Sequence, residues 1–235
     1  MPKQTFFNLP TDKRQQIVDI AIDEFAANDY ASVSISKIVA RAGIAKGSFY
    51  QYFENKEDLS GYLITLIGNK KAEAFSLDHP DPEHVGLFNY MRWIFANSAE
   101  FELANPRLGQ IGYRMIKEGS QNKLYAQAME SAQAYYKALV VLGKEQGDIA
   151  PDIDDEMAAT IFRLLISEMG RYIVQQIVGA HGSDWQGRKA IFDFPEARQM
   201  FEQTLRVLEF GMGSDSAAQH ETASKLIAVP PVERE

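Results

Sequence analysis

Residues 42–59, AGIAKGSFYQYFENKEDL, constrain this chain more than any other stretch. Gly43 stands between two short apolar-periodic segments, with Ile35, Ile38 and Val39 before it and Phe49 and Phe53 after it. Spacings of three and four place each set on one face of a helix. The chain between the segments is long enough only for a tight turn, so Gly43 takes the position that needs a positive φ. The pattern predicts a helix-turn-helix. If Phe49 and Phe53 point inward, then Lys46, Gly47, Ser48, Tyr50 and Tyr52 cannot all be buried. A helix this short has no reason to display tyrosines, a lysine and a bare glycine to water. A DNA duplex gives one: lysine neutralises phosphate, hydroxyls donate to phosphate oxygens, and glycine permits close backbone approach. The plainer alternative is a buried helical hairpin with half-buried tyrosines.

Around this core the chain resembles the TetR family of bacterial transcription regulators. The resemblance runs from about Arg14 to Leu63. It is carried by Ile17, Ala21 and Phe25, then Ser34-Ile35 and Ile38, Ala42-Gly43-Ile44, Lys46-Gly47, Phe49-Tyr50, Tyr52-Phe53, Lys56-Glu57 and Leu59. It implies an all-α fold: an N-terminal three-helix DNA-binding domain and a C-terminal helical domain for ligand binding and dimerisation. Three residues depart from the family's pattern. Ala45 replaces a frequent Ser or Thr cap of the recognition helix, which costs about 1 kcal/mol. Asp29 stands where a glycine usually ends the first helix, and aspartate enters the left-handed region less readily. Tyr52 stands where histidine is common.

Charge qualifies the DNA reading. The net charge is −8, but residues 1–60 hold seven basic and eight acidic side chains, leaving 17 basic and 24 acidic for the rest. The acidity therefore lies mostly outside the motif, and Lys37, Arg41, Lys46 and Lys56 cluster around it. An acidic body with a locally basic head is expected to suppress indiscriminate DNA binding. The absence of cysteine excludes disulfides, iron–sulfur clusters, cysteine–zinc sites and thiol catalysis. No run approaches ~18 apolar residues, and residues 1–14 lack the apolar core of a signal peptide, so a cytoplasmic protein without membrane segments is expected.

The chain then reads in order. Residues 1–10 form an arm. Thr11 is placed to cap a first helix that runs to about Asn28; Lys3, Lys13 and Arg14 are within reach of phosphate but are expected to be solvated. Ser34 caps the second helix and is also placed to meet a phosphate. Asn55 caps the fourth, with Asp58 three residues on. Lys56 in that first turn opposes the helix dipole, and a phosphate would relieve it, which puts Lys56 on the DNA face. The DHPDPEH stretch, residues 78–84, is a break, and His79 and His84 lack the spacing of a helical metal pair. Long helices follow from Val85 onward, with a new segment starting at Asn105-Pro106 and covering 108–116, then about 121–146, 154–178 and 195–210. Residues 180–187 read as loop and 213–235 as a disordered tail. The expected division is 1–54 for DNA binding, 55–212 for regulation and dimerisation, and 213–235 for the tail. No alternating strand pattern or phosphate-binding glycine loop occurs.

One short recognition helix reads too few base pairs to choose a genomic site, so a homodimer on a near-palindrome is expected. The last two long helices carry more apolar residues than one face needs and are its expected seat. The middle helices are rich in aromatics; Trp93, Tyr113, Tyr136 and Glu168 are the candidate contacts for an unknown small-molecule effector, with Arg92 and Arg114 as further orienting charges. The DNA-contact candidates are Ser34, Lys46, Gly47, Ser48, Tyr50, Tyr52 and Lys56. No cofactor or metal site is expected. Four histidines and no cysteine make an enzyme the poorer reading. The sequence thus points to a ligand-released repressor, with a helix-turn-helix factor controlled by a protein partner as the alternative.

Overall fold

The computed structural model describes residues 2–76, 79–117, 123–181 and 191–212. Among them every regular element is helical. These are α1 (Gln4–Phe7), α2 (Thr11–Ala27), α3 (Ile35–Ala42), α4 (Lys46–Tyr52), α5 (Lys56–Phe75), α6 (Pro82–Val85), α7 (Leu87–Ala104), α8 (Pro106–Lys117), α9 (Lys123–Gln146), α10 (Asp155–His181) and α11 (Pro195–Met212), with 3₁₀ turns at Tyr30–Ser32 and Ile191–Asp193. The expected tail, 213–235, and most of the 180–187 loop lie outside the described residues; Ala180 and His181 belong to α10.

The chain forms two compact units, residues 1–77 with 101–131, and residues 78–100 with 132–235. The first holds the helix-turn-helix. Its core is built from the apolar stripes read in the sequence: Ile17, Ala21 and Phe25 of α2, Ile38 and Ala42 of α3, Phe49 of α4, Phe53, and Leu59 and Leu63 of α5, joined by Leu108 and Ile111 of α8. The arm is not loose chain. Its Phe6 is fully buried against the rings of Phe53 and Tyr62, with centroids 4.8 and 5.5 Å away.

Helix ends follow local chemistry. Ser34 Oγ accepts from Lys37 N at 3.3 Å, and Asn55 Oδ1 accepts from Asp58 N at 2.9 Å. Gly43 closes α3 at φ 62°, with Ile44 N donating back to Val39 O at 3.1 Å. Two expectations need correction. Thr11 is the first helical residue, while Pro10 holds the cap position without a side-chain bond. Asp29 needs no left-handed conformation: at φ −63° it is ordinary extended backbone, and so is Asn28, which ends α2.

In the first unit α8 is clamped to α2 by arginines. Arg114 donates to Asp29 at 2.5 Å and to the carbonyls of Ala26 and Ala27, which end α2. Arg107 reaches Asp23 at 2.5 Å, and Arg41 of α3 reaches the same carboxylate at 2.7 Å. Arg107 first and Arg41 second hold the Asp23 carboxyl below its ordinary value of 3.8.

In the second unit α10 and α11 bury Ile173, Ile177, Phe201, Leu205 and Leu208, yet leave Met157, Leu164, Tyr172 and Val178 of α10 and Val207 and Phe210 of α11 exposed. Val207 is 73% exposed and Phe210 64%.

The Asp23 pairing sets a pH signature. Because the folded state holds Asp23 ionised, its contribution to stability is present above the unfolded carboxyl's pKa and fades as pH falls through the lower folded one. Asp23→Asn is expected to lower the urea midpoint at neutral pH, and the gap to the natural chain should close below about pH 3.8. Parallel urea titrations across that range are the check.

Candidate nucleic-acid interface

Helix α4 is two turns long, and its residues sort cleanly around its axis. Phe49 faces inward and is 1% exposed, and Phe53, just past the helix end, is fully buried. Away from Phe49, at helical angles of about 100–160°, stand Gly47, Tyr50 and Gln51, all exposed, while Lys46, one turn before Phe49, is exposed at the open start of the helix. Ser48 and Tyr52 lie on the flank and are half-buried. The Tyr50 ring stands edge-on to Phe49 at 5.3 Å, which fixes its base while 44% of the residue remains accessible. Gln51 was missed in the sequence. Its signal was its position one turn from Gly47 on the outward face, with an amide that both donates and accepts, the pairing that suits an adenine edge.

Of the seven cations in the first 60 residues, six have acceptors in the protein. Lys13 donates to Ala42 O at 2.6 Å, Lys3 to Tyr50 O at 2.9 Å, and Arg14 to Phe7 O at 3.0 Å, so the arm and α2 cations expected to be solvated instead hold backbone. Arg41 pairs with Asp23, and Lys37 approaches the buried Glu24 carboxylate at 4.0 Å. The expectation for Lys56 is corrected. Its ammonium donates to Tyr30 O, Ala31 O and Val33 O at 2.6, 3.2 and 3.1 Å and lies 4.7 Å from the Tyr30 ring centroid. Three N–H donors meet three carbonyls, so the conflict with the helix dipole is answered inside the protein rather than by phosphate. Lys46 has no hydrogen-bond or ion-pair partner among the described residues.

Tyr52 is likewise corrected. Its ring leans on Phe6 at 6.1 Å and joins the core. Ser34 is fixed from both sides, since its amide donates to Glu24 Oε1 at 3.1 Å while its hydroxyl caps α3. Gly47 has open space where a Cβ would project, so nothing within the protein requires a glycine there.

The effector candidates fall in both units. Tyr113 belongs to the first unit and Trp93, Tyr136 and Glu168 to the second. In the second unit Trp93 stacks on Tyr90 at 5.7 Å, and the Tyr90 hydroxyl bridges His79 Nε2 at 2.9 Å and the Tyr135 hydroxyl at 2.7 Å. Tyr135 packs edge-on against Tyr136, whose phenol burial pushes upward. Glu168 is paired with Arg171, Arg92 with Glu202 and Glu209, and Arg114 with α2. The charges expected to orient a ligand therefore have internal partners. His84 pairs with Asp81 at 2.8 Å, and no group of three or more metal-binding side chains occurs among the described residues. Nor is any described helix long and apolar enough to cross a membrane.

Comparison with known proteins agrees with this architecture. Residues 17–62 match the family of bacterial regulatory proteins of the tetR type, and residues 85–213 match the tetracyclin repressor-like C-terminal domain. A TetR family transcriptional regulator from Chloroflexus aurantiacus is 35% identical, superposes with a TM-score of 0.73, and is covered over 99% of its length by 91% of this chain. A fatty acid metabolism regulator protein from Bacillus subtilis is 43% identical over 61 residues, which are 26% of this chain and 30% of that protein. The chain spans less than a third of the length of such curated relatives. The B. subtilis regulator FadR, solved with stearoyl-CoA, shares the fold alone, at 17% identity and a TM-score of 0.57 over 80% of this chain and 95% of that one.

Two predictions separate display from support. Lys46→Met should reduce the dependence of DNA retention on salt by about one unit of log–log slope per protomer, whereas Lys56→Met should leave that slope unchanged and cost about 2 kcal/mol in urea unfolding. Gly47→Ala should raise stability by about 0.5–1 kcal/mol while weakening DNA retention, because the methyl group enters the outward face and no internal contact.

Proposed function

The chain belongs to the TetR family of bacterial transcriptional regulators, and from that premise we propose that it is a ligand-responsive repressor which holds a near-palindromic operator as a homodimer and is released by a small molecule. The observation that carries this reading is the exposed surface of α4: at its open start a cation with no hydrogen-bond or ion-pair partner among the described residues, and, turned away from the anchoring phenylalanines, a bare glycine, a phenol and a carboxamide. Such a helix suits the major groove, where Lys46 meets phosphate and Gln51 and Tyr50 reach base edges. Ser34, Ser48 and Gly47 line the approach to the backbone.

In this reading residues 1–54 read DNA and residues 55–212 regulate. The dimer is seated on α10 and α11. The exposed Met157, Leu164, Tyr172, Val207 and Phe210 favour it, since apolar side chains of that size on adjacent helices mark an interaction surface. Two recognition helices about 34–36 Å apart match successive major grooves. The effector acts by binding better to a state with different spacing, so release reflects differential affinity rather than a blocked DNA face. The aromatic set around Tyr90, Trp93 and Tyr136 is the proposed lining of the effector site.

Selection of duplexes from a random pool, with light scattering on the same preparation, tests this. The expected result is a dimer mass at micromolar concentration and an enriched near-palindrome with half-sites about 10–10.5 base pairs apart or a multiple of that. A monomer mass, or a pool that stays random, would overturn the proposal.

A further inference from the structure

We propose that the N-terminal arm is a working part of the reading head, and that Lys3 and Thr5 are positioning residues for base readout by Tyr50 and Gln51. This rests on the reading of α4 as the recognition helix. An α-helix leaves its last four carbonyls without partners inside the helix. In α4 these belong to Phe49, Tyr50, Gln51 and Tyr52. Phe49 O accepts from Phe53 N at 2.8 Å. The other three are all taken by the arm. Lys3 Nζ donates to Tyr50 O at 2.9 Å, Thr5 Oγ1 donates to Gln51 O, and Lys3 N donates to Tyr52 O at 2.8 Å. A cation at a helix C-terminus is also favoured by the dipole.

The arm is itself fixed. Phe6 is buried between Phe53 and Tyr62, and Arg14 holds Phe7 O from α2. Two of the three capped carbonyls belong to the residues whose side chains project from the outward face. A shift of the arm therefore moves the last turn of α4, and with it Tyr50 and Gln51. Recognition tolerates displacements of only about half an ångström in such groups. The arm thus acts on sequence choice without touching a base.

The test uses the full chain, with the duplex enriched from the random pool and a scrambled duplex of equal length as probes. Lys3→Met and Thr5→Val remove one donor each while keeping side-chain bulk, and Lys3→Arg and Thr5→Ser keep a donor. Each donor loss is expected to weaken retention of the enriched duplex about five-fold, the size of one net hydrogen bond, and to leave both the scrambled duplex and the salt slope unchanged. The conservative variants should restore retention. Equal loss on both duplexes would reduce the arm to general structural support. A fall of about one unit per protomer in the salt slope of Lys3→Met would make Lys3 a phosphate contact instead. Hydrogen exchange on the natural chain gives a check free of mutation: the Lys3 amide is expected to exchange slowly, and exchange at the free rate would overturn the cap. A natural chain that enriches no duplex overturns the reading of α4 itself, whereas enrichment with insensitive variants overturns only the role of the arm.

Discussion

A helix of seven residues cannot sustain itself in water, where even good helix-forming sequences need about 12–15 residues to be marginally stable. The rest of the first unit answers that constraint. Phe49 and Phe53 bury the inner side of α4 in an aromatic group that includes Phe6 and Tyr62. Its terminal carbonyls are met by the arm. Its N-terminus receives no side-chain cap, because Ala45 offers none. The helix is thus held from its inner face and its C-terminal end, and its outer face and first turn remain open. Rigidity on one side and access on the other are what a base-reading helix requires.

The same constraint organises the charges. Lysine has a long stem and three donors, and a loop-rich segment presents many carbonyls that no helix satisfies. Lys3, Lys13 and Lys56 use those donors on carbonyls at the ends of α4, α3 and the Tyr30–Ser32 turn. Cations that look like phosphate contacts in the sequence serve as backbone clamps in the fold. With the body acidic and residues 1–60 holding seven basic against eight acidic side chains, little net attraction remains for arbitrary DNA, and affinity must come from the complementarity of one helix face.

This explains what was legible in the sequence and what was not. Core positions, caps and the turn glycine are local properties, set by spacings of three and four and by single residue types, and Ile38, Phe49, Ser34, Asn55 and Gly43 sit where those spacings put them. The partner of a long cation is not local. Lys56 reaches 26 residues back to Tyr30, and Lys3 reaches 47 residues forward to Tyr50. The arm was legible only through its Phe6-Phe7 pair, which is apolar without reason in a solvated segment. The partners of the charged effector candidates were hidden for the same cause: Arg92, Arg114 and Glu168 lie near apolar stretches in the sequence, but their directions are decided by acidic groups or carbonyls on other helices or a turn away.

A regulator that responds to a ligand needs two states that differ in the contacts held by its DNA-reading segment, because a ligand shifts an equilibrium only by its differential affinity. Helix α8 is fastened to α2 at both of its ends: Arg107 near its start grips Asp23, and Arg114 near its close grips Asp29 and the last carbonyls of α2. Asp23 has a second guest, Arg41 of α3, the first helix of the helix-turn-helix. Asp23 is one carboxylate with two oxygens, each holding one guanidinium. Withdrawal of α8 would leave the second oxygen and the C-terminal carbonyls of α2 without charged donors, so movement of α8 away from the pair of helices that carries α4 is opposed by these contacts. The electrostatic geometry therefore favours concerted displacement of α8, α2 and α3 over local yielding of any one of them, and a concerted displacement is the kind that changes how a recognition helix is presented.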